Sequence, residues 1–299
     1  MIGWDEFDIY KNTNDSLHSD YVYPYSLPFE KVHDKFGWTM LFQKYWHHSI
    51  TVSIVYYIVI RAIQYAMKNR EAFQLQRALF YWNSSLALFS VIGCVRFAED
   101  FLATWKQFGL THSLCHSCNP DGVAAFWSLA FAISKFVELG DTLFIVLRKK
   151  PLIFLHYYHH VAVLVYTIHS GWQIKLETSV LNNSILCAEH TAPGQAFITM
   201  NYFAHAFMYS YYAFMATGKR APRWVSMGVT TIQTTQMFAG VAVSCYIYYI
   251  KVYTNIACQQ SMANLYLAFL IYITFAVLFV QFFVNAYFTD KKPKKTKTQ

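Results

Sequence analysis

The chain has 299 residues, of which 56% are hydrophobic, 19% aromatic and only 13% charged. A soluble domain carries about 25% charged residues, so the composition argues against one and for a polytopic membrane protein. The formal net charge of +8 does not point to nucleic acid, because the basic residues sit in short loops between apolar runs and not on one soluble face.

Residues 1–45 are polar and aromatic, with Asp5, Glu6, Asp8, Asp15 and Asp20 where a secretory signal needs a basic stretch. No cleaved signal peptide is expected, and the first apolar run serves to insert the chain. Seven apolar runs follow, at about 47–67, 78–98, 123–147, 152–172, 195–217, 224–250 and 262–288. Each has roughly the 20 residues that cross a hydrocarbon core. The expected fold class is therefore all-α, a polytopic membrane protein of seven transmembrane helices. Its organisation is an N-terminal segment 1–45, a helical domain 46–289 and a basic tail 290–299.

The loops set an orientation. Lys68, Arg70 and Arg77 follow the first run, Arg148, Lys149 and Lys150 the third, and Lys219, Arg220 and Arg223 the fifth. Lys291, Lys292, Lys294, Lys295 and Lys297 end the chain. The opposite loops hold Lys106, Lys175 and Lys251. Positive charge stays cytosolic, so the N-terminus is expected outside the cytosol and the C-terminus in it. Lys295 and Lys297, fifth and third from the end, resemble a dilysine endoplasmic-reticulum retrieval signal.

Four runs carry side chains that lipid does not tolerate unpartnered. The third has Lys135, Glu138, Asp141 and Thr142. Helical spacing puts Lys135, Glu138 and Thr142 on one face, with Asp141 to its side. The fourth has His156, His159 and His160, an imidazole stripe that titrates near neutrality. The fifth has Asn201 and His205, then Met208, Tyr209, Tyr211 and Tyr212. The sixth has Thr230, Gln233 and Gln236. A lone Gln or His in such a helix is more often interhelical glue. Depth distinguishes this set. At 1.5 Å per residue, Lys135 lies roughly 18 Å from the cytosolic end of its run, Asp141 about 9 Å and His159 about 12 Å. His205, Gln233 and Gln236 lie about 14–18 Å in. The spacing implies one polar chamber open to the cytosol.

Lys135-x-x-Glu138-Leu139-x-Asp141-Thr142, His156-x-x-His159-His160, Asn201-x3-His205-x-x-Met208-Tyr209-x-Tyr211-Tyr212 and Thr230-x-x-Gln233-x-x-Gln236 together resemble the ELO family of very-long-chain fatty-acid elongases. The resemblance covers roughly residues 30–290. It implies a seven-helix endoplasmic-reticulum acyltransferase with an acyl tunnel. Such an enzyme condenses malonyl-CoA with a long-chain acyl-CoA to give 3-ketoacyl-CoA, carbon dioxide and CoA, by a ping-pong route through a histidine acyl-enzyme. Phe144 to His160 looks more like the saturated and monounsaturated branch. The roles implied are catalytic for His156, His159, His160 and His205, with His159 as acyl acceptor. A polar network is implied for Lys135, Glu138, Asp141, Thr142, Asn201, Tyr209, Tyr212, Gln233 and Gln236. Neither metal nor other cofactor is expected. The expected partners are the two CoA substrates, membrane lipid and the other enzymes of the elongation cycle; a homo-oligomer is compatible.

Cys115-x-x-Cys118 has no second such pair, and in an oxidising lumen a structural disulfide is the expectation. The resemblance pairs Cys115 with Cys258, with Cys118 as the competitor. Asn14 and Asn182 head glycosylation sequons on the lumenal side. The stretch from His160 to Asn201 is longer than the family's, the surplus lying near Gln173 to Pro193. His-x-x-His-His also occurs in membrane di-iron oxygenases, but those need about eight histidines in three clusters, and His47-His48 begins the first run at the opposite side. A G-protein-coupled receptor would carry an acidic-Arg-aromatic triplet at the end of the third run, where this chain has Leu147-Arg148-Lys149.

Overall fold

A computed structural model describes residues 17–34, 37, 38, 41, 44–119, 121–170 and 192–289. Asn14, Asn182, most of the 173–193 surplus and the basic tail lie outside the described residues. Among the described residues the regular structure is helical: a short 3-10 turn Pro28–Glu30 and nine α-helices, α1 His48–Ala66, α2 Gln76–Phe108, α3 Leu110–Cys115, α4 Val123–Glu138, α5 Gly140–Leu147, α6 Phe154–Ser170, α7 Gly194–Ala216, α8 Arg223–Tyr253 and α9 Met262–Tyr287.

The long helices fall within a few residues of the seven apolar runs, with two differences. The third run is two helices, α4 and α5, meeting at Leu139 and Gly140. Glycine is a poor helix former, and the backbone tightens there, with Leu139 N–H reaching Phe136 O. The second run continues ten residues beyond its apolar end. Nothing from Phe97 to Phe108 breaks a helix, and α2 stops only where Gly109 turns to φ 88°. At 1.5 Å per residue, α2 and α8 are about 50 and 46 Å long, more than a hydrocarbon core of ~30 Å requires.

The long helices form a closed ring. α2 packs along α7, α7 on α8, α8 on α9, α9 on α6, α6 on α4, and α4 back on α2. α1 lies outside, against α5 and α6. The outer surface is apolar: Ile54, Val55 and Ile58 on α1, Leu88, Val91 and Val95 on α2, Phe203 and Phe207 on α7, and Leu270, Ile273 and Val277 on α9 are all exposed. A water-soluble monomer does not expose a belt of this extent. α1 and α9 are each long and apolar enough to cross a bilayer, with mean hydropathy of 1.4 and 2.5. The belt is lipid-facing surface, and the protein is of the membrane type.

One end of the ring is tied shut. A disulfide joins Cys115 at the end of α3 to Cys258 in the α8–α9 loop, and Gln259 N–H donates to Cys115 O at 3.1 Å. Residues 17–19 run beside Ser117, with Ser19 N–H on Ser117 O at 2.7 Å and Ser117 N–H on Leu17 O at 2.8 Å. Farther on, Glu30 is buried between α2 and α4. Arg96 donates to both its oxygens at 2.9 and 2.8 Å, Trp127 Nε1 to Oε1 at 2.8 Å, and Leu27 N–H to Oε2 at 2.8 Å. Burial alone would raise this carboxyl. The guanidinium and the two N–H donors outweigh it and hold it down to about 2. The other end of the ring carries the basic loops.

Candidate active site

The polar residues of α4 to α7 meet inside the ring. Lys135 and Glu138 are each only 3% exposed. Lys135 Nζ donates to Glu138 Oε1 at 2.8 Å and, across to α7, to Asn201 Oδ1 at 3.0 Å. Its charge also lies 4.1 Å from the centre of the Phe131 ring. Ser134 adds a donor to the same Glu138 oxygen at 3.0 Å. His205, one turn on from Asn201, places Nδ1 3.6 Å from that oxygen. A buried ammonium is tolerated only with such partners, and each of these side chains is needed by the next.

The break at Leu139 divides the third run's polar group. Asp141 turns toward α2 and α7, where Trp82 Nε1 donates to Oδ1 at 2.6 Å and Tyr209 Oη to Oδ2 at 2.7 Å. Thr142, fully buried, turns the other way. Its Oγ1 lies 2.9 Å from His156 Nε2 and 2.5 Å from Tyr56 Oη. Lys135 and Glu138 thus meet α7 together, Asp141 to their side meets α2 and α7, and Thr142 meets α1 and α6.

On α6 the three imidazoles keep the one face that helical spacing dictates. The rings of His156 and His160 are 4.5 Å apart, and those of His159 and His160 5.8 Å. His205 and Lys135 lie close enough to act electrostatically on both His159 and His160. His159 differs from its neighbours in what it touches. Its ring packs against Phe275 at 4.9 Å and Phe279 at 6.2 Å, both on α9. Those two belong to an apolar cluster that continues through Ala162, Val163, Tyr166, Phe197, Ile271 and Tyr272 toward the disulfide end. One imidazole thus stands where the polar network meets a hydrocarbon lining.

The α8 residues join less directly. Gln233 Nε2 reaches Met208 Sδ at 3.1 Å, Gln236 is buried, and Thr230 Oγ1 lies 3.1 Å from Tyr287 Oη. Tyr209 sets its ring edge-on to His205 at 5.3 Å. Tyr212 is 44% exposed, with its ring against Tyr211, and lies close enough to Asp141 to act on it electrostatically. Three participants, Tyr56, Trp82 and Ser134, were not among the expected site residues. Trp82 left a signal, since an indole N–H in an apolar helix seeks an acceptor. One tyrosine or serine among many left none.

His47 and His48 stay apart from the stripe. Trp46 beside them meets His169 at 5.2 Å, and His169 is nine residues past His160, about 14 Å along α6. Among the described residues no three His, Cys, Asp or Glu side chains are grouped as a metal ligand set.

Comparison with known proteins identifies the family. The model of the ELO: GNS1/SUR4 family matches residues 41–296. The chain is 54% identical to putative fatty acid elongase 4 of Caenorhabditis elegans, over 98% of this chain and 96% of that one. It is 37% identical to very long chain fatty acid elongase 6 of Drosophila melanogaster, over 92% and 83% of the two chains. It is also 37% identical to very long chain fatty acid elongase 3 of Homo sapiens, over 86% and 89%. A family match over residues 41–296 and a relative 54% identical along nearly the whole chain leave one conclusion: the chain belongs to the ELO: GNS1/SUR4 family of fatty acid elongases.

Proposed function

We propose that the protein condenses malonyl-CoA with a long-chain acyl-CoA to 3-ketoacyl-CoA, carbon dioxide and CoA, through an acyl group held on His159. The observation that carries this reading is the position of His159 between the Lys135–Glu138–Asn201–His205 network and the Phe275–Phe279 lining. An activated acyl acceptor needs both surroundings: hydrocarbon for the chain and polar groups for the charge that develops.

In the first half, an imidazole nitrogen of His159 attacks the thioester carbonyl. The carbon–sulfur bond breaks, CoA leaves as its thiolate, and an acyl-imidazole remains. In the second half, malonyl-CoA loses carbon dioxide, and the electrons of the broken carbon–carbon bond form an enolate. Its carbon attacks the acyl carbonyl, and the carbon–nitrogen electrons return to His159. Lys135 and the Asn201 amide are placed to stabilise the enolate oxygen. Between them, His205 and His160 carry the His159 N–H proton to the departing thiolate in the first half and return a proton to that imidazole in the second.

The seven long rods, counting α4 and α5 as one, are taken as seven membrane spans. The loop charges place the disulfide end in the lumen and Arg148, Lys149, Lys150, Lys219, Arg220 and Arg223 in the cytosol, where they also suit CoA phosphates. The tail lysines Lys295 and Lys297 are read as an endoplasmic-reticulum retrieval signal. Other enzymes of the elongation cycle are the expected neighbours.

The test is purified protein with palmitoyl-CoA and radiolabelled malonyl-CoA, beside His159→Ala. The expected result is labelled 3-ketoacyl product from the wild type and none from the variant. No product across a panel of acyl-CoAs would overturn the reading.

A further inference from the structure

α2 supplies no residue to any of the four sequence boxes, yet one of its side chains is wired to the site. Trp82 lies at the basic end of α2, with its ring 5.5 Å from Phe144 and in the small cluster formed by Leu86, Ala87, Met208 and Tyr209. An indole N–H cannot be left without an acceptor in hydrocarbon, and Asp141 Oδ1 takes it at 2.6 Å. The other oxygen of that carboxylate takes Tyr209 Oη at 2.7 Å. Tyr209, almost fully buried, sets its ring against His205 at 5.3 Å, and His205 faces Glu138 at 3.6 Å. One carboxylate therefore joins the indole to the histidine of α7.

The approach depends on Gly140. A Cβ at that position would lie 2.8 Å from Cζ2 and 2.9 Å from Cη2 of Trp82. Real Cβ atoms do not come so close, so any other residue there pushes the indole aside. Gly140 also stands at the junction of α4 and α5, next to Asp141. The missing side chain thus gives the room for the ring that holds the neighbouring carboxylate.

We propose that Trp82, seated in the gap left by Gly140, is a positioning residue of the condensation. It fixes Asp141 and, through it, the Tyr209–His205 pair. The proposal rests on the condensation reading above and, within it, assigns the chain of contacts that ends on His205 to the proton His205 returns in the second half-reaction.

The test uses the full-length enzyme in detergent with Trp82→Phe, Gly140→Ala and the double variant. Loss of a hydrogen bond to a charged group is expected to lower the kcat of Trp82→Phe about tenfold. The KM for acyl-CoA and the rate of acyl-enzyme formation without malonyl-CoA should stay at wild-type values. Gly140→Ala should lose a similar factor by displacing the indole. The double variant should be no worse than Trp82→Phe, because the smaller ring leaves room for the methyl; coupled sites fail to add in this way. Wild-type kcat in Trp82→Phe, slowed acylation, or losses that multiply in the double variant would overturn the proposal alone. A wild-type enzyme that makes no product would overturn the condensation reading, and the proposal with it.

Discussion

Glu138 is the residue on which the interior depends. One oxygen accepts from Lys135 and Ser134 and faces His205. Removing one partner of a buried pair leaves the other charge uncompensated, at a cost of about 3–5 kcal/mol, whereas replacing both can be nearly neutral. Glu138→Gln is therefore expected to lower the Tm in detergent. Lys135→Met together with Glu138→Gln should regain most of that Tm without regaining elongation. A single variant as stable as the wild type would mean the pair is not desolvated as described. Glu30 gives the matching experiment at the disulfide end. Its carboxyl is held at about 2 in the fold, against an ordinary value near 4.5. A depressed acid stabilises fully above its unfolded value and loses that contribution as pH falls through the folded one. The Tm advantage of wild type over Glu30→Gln should be constant from pH 8 to pH 5 and shrink below about 4.5. An advantage that grows as pH falls would contradict the ion pair with Arg96.

At the scale of elements, the apolar runs announced where the long helices lie, because a lipid-facing helix must be apolar along its length and its loops need not be. What hydropathy does not report is where a helix continues in polar company. α2 runs on through Arg96, Glu99, Asp100 and Thr104 to Gly109, since its far turns pack against residues 17–30 and not against lipid. Nor does periodicity see the break at Leu139. The spacing of Lys135, Glu138 and Thr142 fits an unbroken helix, and it does not announce Trp82 and Tyr56, which reach Asp141 and Thr142 from other helices. The four boxes were legible because they share depth and order. Tyr56 and Trp82 were not, because a sequence gives the face of a helix and not which neighbour lies against it. The disulfide closes a separation of 143 residues, and removal of such a link lowers stability by about 2–5 kcal/mol. Cys115→Ser with Cys258→Ser should lower the Tm while leaving the kcat of surviving enzyme intact, because the histidines lie at the other end of the ring. An unchanged Tm with lost kcat would reverse the assignment of structure and chemistry to the two ends.

For the whole molecule, the ring of helices separates two environments. Its outside is lipid-facing, one end is stapled and capped, and the other is basic. The interior passes from an ion-paired network to a packed apolar cluster around Phe275 and Phe279 within the length of one imidazole. Protease protection of tags at the two termini in sealed microsomes should show the C-terminal tag cleaved and the N-terminal tag protected. Both tags cleaved would mean an even number of spans. Whether His159 carries the acyl group is decided by covalent capture. Purified enzyme is mixed with radiolabelled palmitoyl-CoA in the absence of malonyl-CoA, denatured, and analysed by intact mass and peptide mapping. The expected result is one acyl group per chain on the peptide carrying His159, chased into 3-ketoacyl-CoA when malonyl-CoA is added and absent from His159→Ala. A His159→Ala chain that still carries the acyl group, or a wild-type enzyme that turns over without ever carrying one, would contradict it.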